Sequence, residues 1–342
     1  MWPWYQQAFC DSFSELGHRV TSFSWNSTFW DRNDDDDIVS KSIFYKFQYK
    51  FLIGPTINKL NKALIDKVIN EKPEAVFFYN CQHIKPQIFK RIKAYSKIIQ
   101  YYNDDPFSGK QTKFMWRFSK KSIKYSDLNI VFREKNIEDF NQNGSKRTNV
   151  LLPYYCKNHH YPIQRENVPE NFLCDVVFAG HYEDDGRLEF FESLLIEGIN
   201  FKLYGGGWNK ILLKNKQSPL FSFYPVVPAI GKDYVYAICG SKIALCFYSK
   251  INSDTYTSRN FEIPAMKKFL LTESSKDLQS LFKETELDYF QNFKDLKEKI
   301  SFYLENNQLR EEMELNLYNK VISSKHEVLD RVREIDCLIT TL

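Results

Sequence analysis

The sequence predicts an α/β protein made of two Rossmann-like halves with mainly parallel sheets. Short apolar runs alternate with longer amphipathic stretches, the pattern of strands joined by helices. The 342 residues suffice for about two domains. One irregular stretch, "NVLLPYYCKNHHYPIQRENVPENF" (149–172), has three prolines and no clear period, and divides the series in two.

The first half opens on "PWYQQAFCDSFSELG" (3–17), a helix by the proline in its first turn and Gly17 at its stop. "HRVTSFSW" (18–25) is the expected strand after it. "INKLNKALIDKVINEKPE" reads as a helix, "AVFFYN" (75–80) as a strand, "PQIFKRIKAYS" as a helix and "KIIQYYND" (97–104) as a strand. "DLNIVF" (127–132) and the helix "REKNIEDFNQNG" close the half. A doubly wound domain ordinarily begins with a strand and a ligand-facing loop, whereas this half opens on the helix that follows them. Either that strand is absent or the start lies downstream of the natural one. The acidic run 34–37 reads as a solvated turn.

The second series runs "CDVVFAG" (174–180), helix 186–198, "NFKLYGGGW" (200–208), "FSFYPVV" (221–227), helix 231–240, "KIALCFY" (242–248), helix 258–267 and "KFLLTE" (268–273). Helices rich in Glu and Lys fill 294–336. The expected organisation is an N-terminal domain over 1–155, a linker over 156–172 and a C-terminal domain over 173–325. A last helix over 326–342 can pack back on the first domain.

Composition narrows the function classes. With 43% hydrophobic and 26% charged residues, a globally disordered chain is excluded. A net charge of +4 does not argue for nucleic acid. Seven cysteines without a C-x-x-C pair suit reduced thiols in a cytosolic protein better than a disulfide framework or a zinc site. The first residues lack the basic and apolar regions of a signal peptide. No apolar run approaches the ~18–20 residues of a membrane span. A cytoplasmic protein, with any membrane contact peripheral at the inner face of the plasma membrane, is the expectation.

Two such halves predict a cleft, with ligands at the C-terminal ends of the strands. In "VVFAGHYEDDGRLEFF" (176–191) an apolar strand ends in Gly180, and a polar loop leads to a helix beginning near Gly186-Arg187. Free N–H groups at the helix start, with Arg187 as a bidentate donor, would suit an anion. The plain alternative is an ordinary turn with a surface arginine. "KLYGGGW" (202–208) places Gly205, Gly206 and Gly207 after the next strand, for close ligand approach or for a flexible turn with Trp208 in the core. "SDTYTSRNFEIPA" (253–265) follows strand 242–248 and becomes a helix. Thr257 and Ser258 are candidate caps, Arg259 can neutralise a diphosphate, and Glu262 can accept ribose hydroxyls. The alternative there is a capped helix with a surface ion pair.

These motifs together are similar to the C-terminal half of the CgeB-like bacterial glycosyltransferases, which have the GT-B fold. The resemblance runs through "VVFAGHYEDDGR", "LYGGGW", "KIALCF", "TSRNFEIPA" with "FLLTE", "ELDYFQNFKDLKEKI" and "NNQLREEM…HEVLDRV", in that order over roughly 174–335. It implies a nucleotide-diphosphate sugar as donor, with no further cofactor. Gly180 and Arg187 would face phosphates or nucleotide, Gly205–Gly207 the nucleotide, Thr257, Ser258 and Arg259 the diphosphate, and Glu262 the ribose. Asp254 and Glu262 match the E-x7-E spacing of many retaining members with Asp in first place, so retaining and inverting outcomes both stay open. No metal-ligand cluster stands out in the C-terminal half, and metal-independent transfer to a glycan or lipid-linked glycan, as in surface polysaccharide synthesis, is the expectation. The alternatives are a binding module without turnover and a sugar-nucleotide epimerase of the same fold.

In the first half "QYYNDDPF" (100–107) sets Asp104 and Asp105 at a strand end, as base candidates or as an Asp-Pro turn. His83 in "NCQHIKP" and His181 after Gly180 are further base candidates, against the commoner structural histidine. "KSIFYKFQYKFLIG" (41–54) and "KQTKFMWRFSKKSIK" (110–124) are basic and aromatic together. In the second, cations at three- and four-residue spacing flank Phe114 and Phe118, the pattern of a helix resting on anionic lipid or of a solvated basic face.

Overall fold

The computed structural model describes residues 3–24, 28–32, 38–40, 42–110 and 114–342. The chain divides into two compact units, one formed by 1–152 with 328–342 and the other by 153–327. The acidic turn expected over 34–37 lies outside the described residues.

The first unit begins with α1 (Pro3–Glu15) and carries a short antiparallel ladder of β1 (Trp30–Arg32) with β2 (Ile38–Ser40). α2 (Ile43–Phe51) and α3 (Pro55–Glu71) follow. The sheet comprises β3 (Ala75–Tyr79), β4 (Lys97–Tyr102), β5 (Leu128–Val131) and β6 (Thr148–Val150), all parallel and in that order. The connections carry α4 (Pro86–Ile92), α5 (Arg117–Ser122) and α6 (Asn136–Gln142). Prolines open α3 and α4, where a missing N–H costs nothing. On one side Ile57, Leu64, Phe89 and Ile98 form the core; on the other Phe9 of α1 stacks on Phe77.

The strand expected over 18–25 is not formed in its described part, 18–24. Its apolar residues Val20 and Phe23 do not alternate, and side chains hold the segment instead. Thr21 Oγ1 donates to Glu71 Oε2 at 2.6 Å, and His18 Nε2 lies 3.0 Å from Asp336 Oδ1. Asp336 belongs to a last helix, α14 (Val328–Thr340), packed on α1 within this unit. Val332 and Ile335 on its inner face are fully buried.

The second unit holds a parallel sheet of β7 (Val176–Ala179), β8 (Phe201–Tyr204), β9 (Ile243–Cys246), β10 (Leu270–Glu273) and β11 (Asp288–Phe290), in the order β11-β10-β9-β7-β8. Its central strands β7 and β9 are buried on both faces, which is why they read as continuous apolar runs. α7 (Arg187–Ile196), α8 (Trp208–Leu212), α9 (Lys232–Cys239), α10 (Arg259–Ala265), α11 (Lys276–Leu281), α12 (Phe293–Glu305) and α13 (Asn307–Ser323) surround it. Phe178, Phe191, Trp208 and Phe247 form an aromatic centre within the core.

Two expected elements differ here. Residues 221–227 form no strand; Pro219–Phe223 is a 3₁₀ helix, nucleated by Pro219 and by Ser218 Oγ accepting the Leu220 N–H. Pro225 and Pro228 beyond it lack the N–H a sheet ladder needs. The irregular stretch 149–172 contains the end of β6 and two short 3₁₀ turns, Arg165–Asn167 and Glu170–Phe172. Among the described residues no helix is long and apolar enough to cross a membrane.

Candidate functional site

In the second unit the chain passes from β7 outward to β8, then returns to lay β9 on the other side of β7. At such a reversal the loops after the two central strands diverge, and ligands bind in the crevice between them. Those loops are 180–186, after β7, and 247–258, after β9. They carry Gly180, His181, Asp254, Thr257 and Ser258, with Arg187, Arg259 and Glu262 just inside the helices that follow.

Gly180 and the triple glycine form one close-packed construction. Gly180 N–H donates to Tyr204 O at 2.9 Å, and Tyr182 N–H to Gly206 O at 2.9 Å. A Cβ on Gly205 would lie 2.0 Å from Gly180 O, and Gly205 has φ +132°, so both space and conformation require glycine. Trp208 Nε1 donates to the same carbonyl at 2.9 Å and anchors the loop in the core. The nearest atoms to a Cβ on Gly206 would be those of the movable imidazole of His181, 2.9 Å away.

Arg187, expected from the resemblance to face phosphates or nucleotide, is engaged within its own loop. It is buried, its Nε and Nη2 donate to the two carboxylate oxygens of Asp185 at 2.7 and 2.6 Å, and its Nη1 donates to His181 O at 2.8 Å. The guanidinium sits 5.6 and 5.3 Å from the ring centres of Phe178 and Phe247. Its bidentate fork closes the 181–186 loop upon itself. Glu183 then braces the neighbouring loop, accepting the Lys250 N–H at 2.8 Å.

After β9, Thr257 Oγ1 lies 3.4 Å from Cys246 Sγ and accepts the Arg259 N–H at 3.2 Å. Asn260 Oδ1 accepts the Thr257 N–H at 2.7 Å, while Asn260 Nδ2 donates to Thr272 Oγ1 on β10 at 2.9 Å. Thr257 therefore holds the first turn of α10, and several of the turn's N–H groups are engaged within the chain. What that turn presents is Arg259, half-buried, whose charge is felt by His181, Tyr234 and Cys246. Ser258 is half-buried beside it. Asp254, also half-buried, has its N–H bonded to Ser249 O at 2.9 Å.

Glu262 is almost fully buried, one turn along α10. Tyr234 of α9 donates its hydroxyl to Glu262 Oε2 at 3.1 Å. His160 Nδ1 accepts the Cys156 N–H at 3.0 Å, which leaves the ring proton on Nε2, 3.9 Å from Glu262 Oε1. Burial lowers the His160 pKa, against the pull of Glu262, so the imidazole is neutral. Burial and then the Glu262 carboxylate raise the Tyr234 hydroxyl. Neither residue stood out in the sequence: His160 lies in the irregular stretch, and Tyr234 is one of two tyrosines in an ordinary amphipathic helix.

The exposed His181 has its pKa lowered by partial desolvation and then by Arg259. The other base candidates belong to the first unit. Asp105 is buried, ion-paired with Lys135 Nζ at 2.5 Å, and accepts from Asn136 Nδ2 at 2.9 Å and from the Phe107 N–H at 2.8 Å. It shapes a turn, as its Asp-Pro context allows. Asp104 is half-buried and accepts from Asn80 Nδ2 at 2.6 Å. His83 is buried with its ring centre 4.4 Å from Tyr49 and 5.3 Å from Phe29, and desolvation lowers its pKa to about 3. His83 is thus packed among aromatic rings of the core of the first unit.

Residues 187–336 match the family described as glycosyl transferase-like. No curated protein matches the chain. Among solved structures, the sucrose-phosphate synthase of Thermosynechococcus elongatus has a TM-score of 0.67 at 11% identity, covering 98% of this chain and 92% of that one. HepE from Anabaena, in complex with UDP-glucose, has a TM-score of 0.62 at 10% identity and covers 84% of each chain. A glycosyltransferase from Rickettsia africae has a TM-score of 0.61 at 12% identity, covering 98% of this chain and 93% of that one. The chain has the GT-B fold, with two Rossmann-like α/β units.

Proposed function

We propose that the chain is a glycosyltransferase whose second unit holds a nucleoside-diphosphate sugar. The observation that carries this is the meeting of Arg259, the Gly180–Gly205 backbone and a braced Glu262 at the strand-order reversal. A buried carboxylate aligned by a neutral tyrosine hydroxyl is suited to accepting two vicinal hydroxyls of a ribose. Arg259 stands where a diphosphate would lie between the two loops, and its charge favours the leaving group as the sugar–oxygen bond breaks. Glycines without side chains let the nucleotide approach the backbone. The family match over 187–336 covers Gly205, Arg259, Glu262 and most of the stretch resembling CgeB-like enzymes, and HepE, of like fold, was solved with UDP-glucose.

In this reading the donor is the only small molecule required, Arg259 supplying the compensating charge. His181, neutral at pH 7, is the base candidate within the unit and would take the acceptor hydroxyl's proton. The acceptor is read as a glycan or lipid-linked glycan of a bacterial surface polymer; the resemblance alone supports that part.

Titration calorimetry with UDP, GDP and their sugars tests the donor site. Glu262→Gln should weaken binding of the preferred nucleotide by roughly 10–100-fold, the loss of a charge-assisted hydrogen-bond pair. Arg259→Ala should weaken the diphosphate but leave a nucleoside alone unaffected. Wild-type affinity in both variants would sink the assignment. Binding without hydrolysis or transfer, given cell-derived acceptors, would favour a binding module.

A further inference from the structure

We infer that α2 and the adjoining segment around Phe114 form an interfacial surface that rests on anionic lipid. α2 is inverted relative to an ordinary surface helix. Its inward side carries Tyr45, Gln48 and Tyr49, with Gln48 buried and accepting the Thr56 N–H at 2.8 Å and both tyrosines packed against the core. Its outward side carries Ile43, Phe44 and Phe47, exposed by 85%, 55% and 51%. At 100° per residue these three span one continuous face, with Lys46 and Lys50 along its edge.

A second segment extends the face. Phe114, 56% exposed, lies with its ring centre 6.2 Å from that of Phe51 at the end of α2. Arg117 Nη2 donates to Phe51 O at 2.6 Å and to Leu52 O at 3.1 Å, which fixes the two segments side by side. Ile53, 48% exposed, completes the apolar surface. Phe118, counted from sequence with the apolar stripe of α5, instead packs against the core. The protruding surface is therefore α2 and its flanks, with α5 supplying cations.

The occupant follows from charge. Segments 41–54 and 110–124 contain nine Lys and Arg and no Asp or Glu; Lys41 and Lys113 lie outside the described residues. Two segments with cations and no carboxylate of their own, carrying outward aromatic and aliphatic side chains, match anionic headgroups above an acyl boundary. Nucleic acid would meet the cations but would leave Ile43, Phe44 and Phe47 in water. The inference is independent of what the second unit binds.

Co-sedimentation of the full chain with phosphatidylcholine vesicles, with and without phosphatidylglycerol, tests it. Partition should be about tenfold or more greater on the anionic vesicles and should fall with added salt. Phe44→Glu with Phe47→Glu should abolish binding while leaving the thermal transition in place, since neither side chain is in the core. Lys46→Glu with Lys50→Glu should remove the preference for phosphatidylglycerol. Equal binding to both vesicle types, no binding to either, or a Phe44→Glu/Phe47→Glu variant that binds like the parent overturns the inference. So does a dimer that this variant dissolves, or RNA binding that it leaves intact.

Discussion

At the scale of single residues, buried imidazoles make the chain sensitive to acid. His83 and His160 are both neutral in the folded state, because burial disfavours their charged forms. On unfolding they regain an ordinary pKa near 6.5 and bind a proton below it. Their contribution is therefore fully present above pH 6.5 and is lost as pH falls, for His83 down to about 3. The loss is roughly 1.4 kcal/mol per pH unit for each imidazole that stays uncharged. Urea midpoints should drop between pH 7 and pH 5, and His83→Asn should show a shallower drop. A midpoint that does not move over that range would remove the neutral, buried histidine from the account.

At the scale of elements, the contact between the β7 loop and the glycine loop sets a sharp contrast between neighbouring residues. Gly205→Ala drives a Cβ into Gly180 O and forces a left-handed-side φ on alanine, and should cost more than about 2 kcal/mol. Gly206→Ala needs only the His181 ring to swing away and should cost less than about 1 kcal/mol. Thermal melts of the two variants decide this, and similar values would mean that the loops are not in contact. The triple glycine was visible in the sequence; which of the three the backbone requires was not, because the partner carbonyl is 25 residues away. The same limit governs the rest. β7 and β9 were legible as apolar runs, and their polar ends as candidate sites, since those signals are local. The pairing of Arg187 with Asp185 was not legible, because Asp185 reads as an ordinary loop acid until the turn folds the two together. His160 was silent because its link to Glu262 joins an aperiodic stretch to a helix a hundred residues on. The strand expected over 221–227 failed where prolines outweighed an aromatic-rich composition.

At the scale of the whole molecule, α14 belongs with the first unit although it lies beyond the second in sequence. Arg147 Nη1 donates to Thr341 Oγ1 at 2.8 Å, and the α14 side chains Val332 and Ile335 are sealed from water. A chain stopped after Glu327 should lose protection in α1 and around β6, read by amide hydrogen exchange, while the sheet of residues 176–290 exchanges as before. Equal loosening of both units would show that the helix supports more than the unit it joins. The division also orders events during synthesis. Residues 153–327 are contiguous and can close on themselves as soon as they are made, whereas residues 1–152 must wait for a helix translated after all of them. At 5–20 residues per second the wait is on the order of 10–40 s. Throughout it, the side of α1 that packs on α14 has no cover, so the nascent first unit is the part of this chain most in need of a chaperone.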